Sequence, residues 1–389
     1  MSIFIFIFLN EYNKIFKYTR NFFNIPFVYL SMADFKSKRK CSTDENHRRL
    51  IQQEGERYKI NRLRCEQDVL KRISNPMRPF RSGGLAGGGF NEGEPMITIP
   101  VVVHVVYKTK EQNISDEQIF SQMDVLDKDF RKKNIDRNQI PEVWKSIAAD
   151  TRIEFDLATV DPNGNPGLAI TRTHTNKNEF IDNDDVKFDS KGGKNAWDTT
   201  RYLNIWVCKL GNDLLGYAQF PNGPPETDGV VISYEAFGTI GTAKAPFALG
   251  RTTTHEIGHY LDVFHIWGDE NLLEDPCSRT DNVIDTPNQK GPNTGKHTFP
   301  SHKEDCPNTG ENGTMFCNYM DYVWDESMYM FTLGQYARMR ATLGGPRRTL
   351  LTSDVLRKPE QDLHLARMIR LPAKVYDGID AVKPVEQIM

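Results

Sequence analysis

Two histidines four residues apart, followed by a third, constrain the fold of this 389-residue chain most strongly. They lie in the segment THEIGHY, residues 254–260. Residues four apart share one face of a helix, so His255 and His259 reach a common zinc ion only if this segment is helical. Glu256, the next residue around the helix, would lie beside the ion, where a carboxylate can take a proton from a water molecule.

A third ligand is needed, and His265 follows His259 by six residues. This spacing requires the helix to break after Leu261 and the chain to turn back. Such a turn favours a left-handed residue at position 262, which is usually glycine, but aspartate and asparagine also tolerate that conformation. We therefore predict zinc bound by His255, His259 and His265. The rival third ligands are downstream glutamates, Glu270 or Glu274.

Net charge and the lengths of the apolar runs argue against a nucleic-acid partner and against a membrane span. With 38% hydrophobic and 26% charged residues the chain is typical of a globular protein, and its net charge of −3 provides no basic surface for a nucleic acid. No apolar run reaches the roughly 18 to 20 residues that a membrane-spanning helix requires. We expect neither a nucleic-acid partner nor a membrane span, and the oligomeric state stays open.

The N-terminus has the order of a signal peptide over residues 1–33. A basic stretch precedes the apolar run 22–30, and the small residues Ser31 and Ala33 suit a cleavage site. This pattern predicts a secreted protein. The alternative is that Met32 is the true start and the protein is intracellular.

Residues 34–94, between the predicted signal peptide and the main domain, are predicted to form a pro-segment and a linker. Their first part, to about residue 75, is rich in charged side chains and is expected to form a mostly exposed helix. The part between residues 78 and 94 is rich in glycine and is the best linker in the chain. A domain is predicted over 95–352, and the tail 353–389 carries no motif that we can interpret.

The predicted domain begins with a β-branched run at 97–107, which is typical of a buried strand. Its His104 is expected to be a core or rim residue rather than a ligand. Ser115 and Gln118 predict a capping box for a helix whose apolar face carries residues 119, 123, 126 and 130. Further strands are predicted at 153–158, 202–207 and 230–234, and a helix at 249–260. This order indicates an α/β or α+β fold.

The chain resembles the pappalysin family of metzincin peptidases, in particular its bacterial-type members, from about Ile97 to Leu350. The resemblance is carried by five segments in addition to the zinc motif. They are 228–232 (DGVVI), 249–252 (LGRT), 265–269 (HIWGD), 285–287 (DTP) and 318–322 (NYMDY).

This resemblance implies a metzincin fold, with a twisted, mostly parallel sheet and two long helices in an upper subdomain. An irregular lower subdomain would contain the methionine turn, with Met320 as an apolar floor beneath the zinc. Tyr322 would direct its hydroxyl at the metal or at the developing oxyanion.

The implied activity is hydrolysis of peptide bonds in protein or peptide substrates, with Glu256 as the general base. The alternative is a non-catalytic binding protein that keeps zinc only to hold its fold. Glu256 argues against this alternative, because a structural zinc site has no use for a general base.

The same resemblance implies a disulfide between Cys277 and Cys306, whereas Cys208 and Cys317 are more simply buried thiols. It also implies that this loop binds structural calcium, although its acids would equally suit a solvated loop. These acids are Asp269, Glu270, Glu274, Asp275, Asp281 and Asp285.

Two further roles follow from the family pattern. Asp325 matches the aspartate at the base of the pocket for an arginine or lysine after the scissile bond; the alternative is an exposed loop acid. Residues 40–45 (KCSTDE) resemble the short motif in which a cysteine silences the zymogen, which assigns that role to Cys41. The alternative pairs Cys41 with Cys65 in a disulfide.

Overall fold

The computed structural model describes residues 38–74, 95–268, 274–307 and 309–356. The predicted signal peptide, the glycine-rich linker and most of the C-terminal tail lie outside these residues. Among the described residues, no helix has the length and apolar character needed to cross a membrane.

The described elements are five helices, eight strands and several short 3-10 turns. The helices are α1 (Thr43–Ser74), α2 (Asp116–Phe130), α3 (Glu142–Lys145), α4 (Arg251–Tyr260) and α5 (Leu333–Gly344). The strands are β1 (Ile97–Tyr107), β2 (Ile153–Leu157), β3 (Ile170–His174), β4 (Leu203–Cys208), β5 (Gly216–Ala218), β6 (Val230–Ser233), β7 (Thr294–Gly295) and β8 (Tyr322–Val323).

Six of these strands form one mostly parallel sheet, as the family resemblance implied. Its order is β2-β1-β4-β6-β5, and β3 continues the β2 edge by pairing with the second half of β1. Only β5 among the six runs antiparallel, against β6, and it lies at the opposite edge. This edge strand faces the zinc motif.

The two faces of β1 explain its continuous apolar sequence. Val101, Val103 and Val105 belong to the main core, together with apolar residues of α2 and α4. Val102 faces the other side and packs with Tyr202 in a smaller cluster. A strand covered on both faces has no polar side, which is the pattern expected in a parallel sheet.

The structure corrects two local predictions. The helix predicted from residue 249 begins at Arg251, because Gly250 adopts a left-handed φ of 74°. Ser115 does cap α2 by accepting a hydrogen bond from the Gln118 amide. The Gln118 side chain, however, donates to the carbonyl of Phe237 (2.8 Å) and so does not complete a capping box.

Helix α1 is not mostly exposed, as its charged composition suggested. Leu50, Tyr58, Cys65 and Val69 are all buried. The helix bends at Gly55, whose φ of 63° and ψ of −144° are not helical. The leader therefore packs on the domain along much of its length, and we call residues 38–74 the leader.

Candidate active site

Helix α4 places His255, Glu256 and His259 in a fully buried position beneath the sheet edge. The helix ends where it was predicted to end. Asp262 adopts the left-handed conformation (φ 69°), and the Val263 amide donates to the Gly258 carbonyl at 3.0 Å. This turn brings His265 back towards the helix.

The three histidines converge through their Nε2 atoms. The His259 Nε2 lies 3.2 Å from that of His255 and 3.1 Å from that of His265. Each Nδ1 faces an oxygen instead: the carbonyls of Tyr319 (2.7 Å) and Val263 (2.8 Å) and the carboxylate of Asp44 (3.0 Å). Protons on Nδ1 leave three Nε2 lone pairs directed at one point.

This donor set fits a zinc ion. A tetrahedral site with Zn–N bonds of about 2.0 to 2.1 Å separates its nitrogens by about 3.3 to 3.4 Å, close to the spacing observed. Burial lowers the pKa of His259 to about 3, which keeps the imidazole neutral, as a ligand must be. Among the described residues, the group able to hold a metal consists of these histidines and Cys41.

Glu256 lies beside this point and not in the ligand set. Burial raises the pKa of its carboxyl to about 7, despite hydrogen bonds from Cys41 and Thr43 that oppose the shift. A carboxyl group with a pKa near neutrality is suited to accept a proton and return it.

The methionine of the predicted turn lies directly below α4. Met320 is fully buried, and its sulfur would lie only 2.4 Å from a Cβ at Gly258. Glycine is therefore required at position 258 for this close approach. The carbonyl of the preceding residue, Tyr319, orients His255, so the turn also fixes a predicted zinc ligand.

Tyr322 borders the same site. Its ring centroid lies 5.0 Å from that of His265 and 5.7 Å from that of His255. Its hydroxyl donates to the carbonyl of Cys41 at 3.2 Å. The leader therefore occupies the hydroxyl that was predicted to reach the metal or the developing oxyanion.

The leader enters the site alongside β5. The Ser42 amide donates to the Gly216 carbonyl (3.2 Å), and the Leu215 amide donates to the Lys40 carbonyl (3.0 Å). The sulfur of Cys41 and the ligand nitrogens of the three histidines all lie within 4.8 Å of one another. Cys41 and Cys65 are both free thiols, so the alternative disulfide between them is wrong.

Three leader residues that the sequence analysis did not single out also contact the site. The Thr43 hydroxyl donates to Glu256 Oε2 (3.0 Å), and Asp44 accepts a hydrogen bond from His265. Arg39 lies two residues before the cysteine and reaches Asp325. Their position within three residues of Cys41 is the sequence signal that could have identified them.

Asp325 is fully buried, which excludes its alternative as an exposed loop acid. Its Oδ1 accepts from Arg39 Nη2 at 2.5 Å, and its Oδ2 accepts from the Leu249 amide at 2.8 Å. The carboxylate therefore lies at the N-terminal end of α4, where the helix dipole also stabilises negative charge.

The loop between the zinc helix and the methionine turn contains the disulfide between Cys277 and Cys306. Cys208 and Cys317 are buried free thiols. Asp281 accepts from the Thr286 hydroxyl (2.8 Å), and Asp285 accepts from the Gly334 amide (2.9 Å). Asp269 and Glu270 lie outside the described residues, and Glu274 and Asp275 are exposed.

Comparison with known proteins gives a consistent result. The sequence profile of the peptidase M43 family, described as pregnancy-associated plasma protein-A, matches residues 187–344. Mature mirolysin of Tannerella forsythia, solved with a cleaved peptide, is 53% identical and covers 66% of this chain and 96% of its own, with a TM-score of 0.63. The chain belongs to the pappalysin family.

Two further pappalysin comparisons extend this result. A mutant of Tannerella forsythia promirolysin is 45% identical and covers 81% of this chain and 97% of its own, with a TM-score of 0.69. An extracellular metalloprotease of Arthroderma benhamiae is 29% identical over 251 residues, which are 63% of this chain and 71% of the relative. This pappalysin is thus a metalloendopeptidase with a metzincin fold.

Proposed function

We propose that this pappalysin is a secreted, zinc-dependent endopeptidase that is made in latent form. The observation that carries the proposal is the convergence of three imidazole Nε2 atoms beside a buried carboxyl group. Zinc at this point would polarise the scissile carbonyl and lower the pKa of the attacking water. The extracellular names of the relatives and the predicted signal peptide support secretion.

Glu256 is the general base in this proposal. Its carboxylate accepts the proton of the attacking water and later transfers it to the leaving amine. Once the leader and its Cys41 carbonyl have left, the Tyr322 hydroxyl donates a hydrogen bond to the developing oxyanion. Neither residue forms a covalent bond to the substrate.

Cys41 accounts for latency. Its thiolate would take the fourth position of a site whose other ligands are the three histidines. Burial, followed by the charge of Glu256, raises the pKa of this thiol in the absence of a cation, and a bound zinc ion would offset that effect. Removal of the leader would free the fourth position for water.

Asp325 accounts for specificity. A buried carboxylate at the end of a pocket pairs well with guanidinium, and Arg39 of the leader already makes this pair. We propose that the same pocket accepts arginine or lysine after the scissile bond. Calcium binding by the acidic loop at 269–285 stays a prediction. Two of its acids, Asp281 and Asp285, accept hydrogen bonds from protein donors.

The test is Glu256→Gln in a protein that is made as the full chain. Its leader is then cut at an engineered site within 75–94 and separated from the domain. Peptide hydrolysis should fall by about 10²-fold or more, as expected when a general base is lost. Zinc content should stay near one ion per chain, because Glu256 is not a ligand. A matched control is Glu226→Gln, at an exposed glutamate. Hydrolysis by the Glu256 variant at the parent rate would reject the proposal.

A further inference from the structure

A second arginine of the leader, Arg62, also lies in a closed pocket. Its Nη2 donates to Asp262 Oδ1 at 2.7 Å, and its Nη1 donates to the Pro221 carbonyl at 3.0 Å. Its guanidinium carbon lies 5.1 Å from the centroid of the Phe220 ring. We call the three groups that surround it, from Asp262, Pro221 and Phe220, the Asp262 pocket.

All three walls of the Asp262 pocket belong to the predicted domain and none to the leader. Arg338 of the domain also holds Asp262, because it donates to the Asp262 carbonyl (2.9 Å) and to its Oδ2 (3.1 Å). Arg338 is in turn paired with Glu66 of the leader (2.7 Å). Departure of the leader would leave Asp262 Oδ1 directed into the vacated space. The pocket would then hold an acceptor that is open to water or to a new donor.

The Asp262 pocket adjoins the reaction centre. The Phe220 ring contacts Arg62 on one side, and its centroid lies 5.5 Å from that of His259. Phe220 also follows β5 by two residues, so the pocket lies at the end of the edge strand along which the leader runs.

The two arginine pockets lie at opposite ends of α4. Asp325 binds backbone amides at the start of the helix, whereas Asp262 follows its last turn. A helix of 10 residues is about 15 Å long, and an extended peptide rises about 3.3 Å per residue. A peptide that fills both pockets would therefore place its two basic residues about four or five positions apart, with the zinc histidines between them.

We propose that the Asp262 pocket is a second substrate subsite, which binds an arginine side chain on the other side of the scissile bond from the Asp325 pocket. This inference rests on the proposed endopeptidase function. A carboxylate, a carbonyl and an aromatic face match the planar donors of guanidinium better than they match an ammonium group. Arginine should be preferred to lysine there.

The departure from glycine at position 262 supports this assignment. The turn needs only a left-handed residue, which glycine provides without strain. Asp262 keeps the turn and adds a buried charge directed at the leader.

The test uses the full chain after its leader has been cut at an engineered site and separated by gel filtration. Substrates share an arginine after the scissile bond and carry arginine, lysine, citrulline or alanine four to seven positions earlier. We expect arginine at the best spacing to raise kcat/KM about tenfold over alanine, and citrulline, which has the same shape without charge, to give little gain.

Asp262→Asn should reduce the arginine-to-alanine ratio to below about twofold. Asp262→Gly should reduce the ratio equally. Because glycine suits the left-handed turn, this second variant shows whether the effect of Asp262→Asn comes only from a folding defect. Asp213→Asn is the control, since Asp213 is exposed and also has a positive φ of 57°.

The subsite would be overturned if the wild-type ratio of kcat/KM for arginine and alanine substrates were near one at every spacing. The same conclusion would follow if both Asp262 variants kept the wild-type ratio. Arg62 would then be only an anchor of the leader. Failure of the endopeptidase proposal would differ, because the peptide with a single arginine would also stay uncut.

Discussion

Arg39 donates from Nη2 to Asp325 Oδ1 across 2.5 Å, and both side chains are buried. The same guanidinium donates to the Val323 carbonyl (3.2 Å) and to the Thr252 hydroxyl (2.9 Å), and it lies over the Phe247 ring. The leader thus fills the Asp325 pocket with the side chain that we propose for the substrate.

The first prediction concerns this pocket. Asp325→Asn should keep the hydrogen bonds to the backbone of α4 but remove the charge that pairs with guanidinium. Loss of one partner from a buried charge pair costs about 2 to 5 kcal/mol, which corresponds to a fall of about 30-fold or more. The measurement is the ratio of kcat/KM for peptides with arginine or leucine after the scissile bond.

Glu326→Gln is the matched control, because this neighbouring acid is partly exposed and pairs with Lys296. Its arginine-to-leucine ratio should equal that of the parent. If Asp325→Asn keeps the parent ratio, the pocket does not set this specificity.

The parts of the fold that were predictable from sequence are those set by local geometry. The spacing of His255, His259 and His265 requires a helix and a turn, and both occur where predicted. Strand β1 spans the predicted residues because its run of valines has no polar alternation. A short strand such as β5, with only three residues, carries no such pattern.

The contacts of the leader with the domain were not predictable, because they join residues more than 130 positions apart. Nothing near Arg62 in the sequence indicates that its partner is Asp262, 200 residues later. Charged composition alone indicated exposure for α1. The helix is buried in part because its charges pair with buried charges of the domain, which a single sequence cannot show.

The second prediction concerns latency. Cys41→Ala should give measurable peptide hydrolysis by the uncut chain, because the fourth ligand position becomes available to water. The gain should be incomplete. Arg39 would still fill the Asp325 pocket, and Thr43 and Asp44 would still contact Glu256 and His265.

Cys65→Ala is the matched control, since Cys65 is a buried leader thiol that is not among the predicted metal ligands. It should stay as latent as the parent. Hydrolysis is measured with a quenched fluorescent peptide while gel electrophoresis verifies that the chain is uncut. Full latency of Cys41→Ala would rule out the cysteine switch.

The third prediction concerns pH. His47 lies on α1, where its Nδ1 is 2.9 Å from the Tyr58 hydroxyl and its ring packs against Phe220. Burial, followed by the charge of Arg62, lowers the pKa of His47 to about 4. The charges that act on it are those of Arg62, Arg48, Asp44 and Asp262, and the pKa of Asp44 is about 2, so this acid stays ionised over the same range.

The sign follows from linkage. In the released leader, the pKa of His47 would return to about 6.5, so below that pH the free leader binds a proton that the docked leader excludes. Docking is therefore fully favourable above pH 6.5 and weakens as the pH falls towards 4, by about 3 kcal/mol at most. Mildly acidic conditions should promote release of the cut leader.

Gel filtration of the Glu256→Gln chain, cut within 75–94, measures this effect as the fraction of leader that stays bound at pH 7.5, 6 and 5. His47→Gln keeps a hydrogen-bonding group but does not titrate, so its binding should change much less with pH. His302→Gln, at an exposed histidine, should behave like the parent. Among His47 and the charged groups around it, only His47 is expected to gain a proton between pH 6.5 and 4 when the leader is released. If leader binding by His47→Gln depends on pH as strongly as in the parent, another group causes the effect.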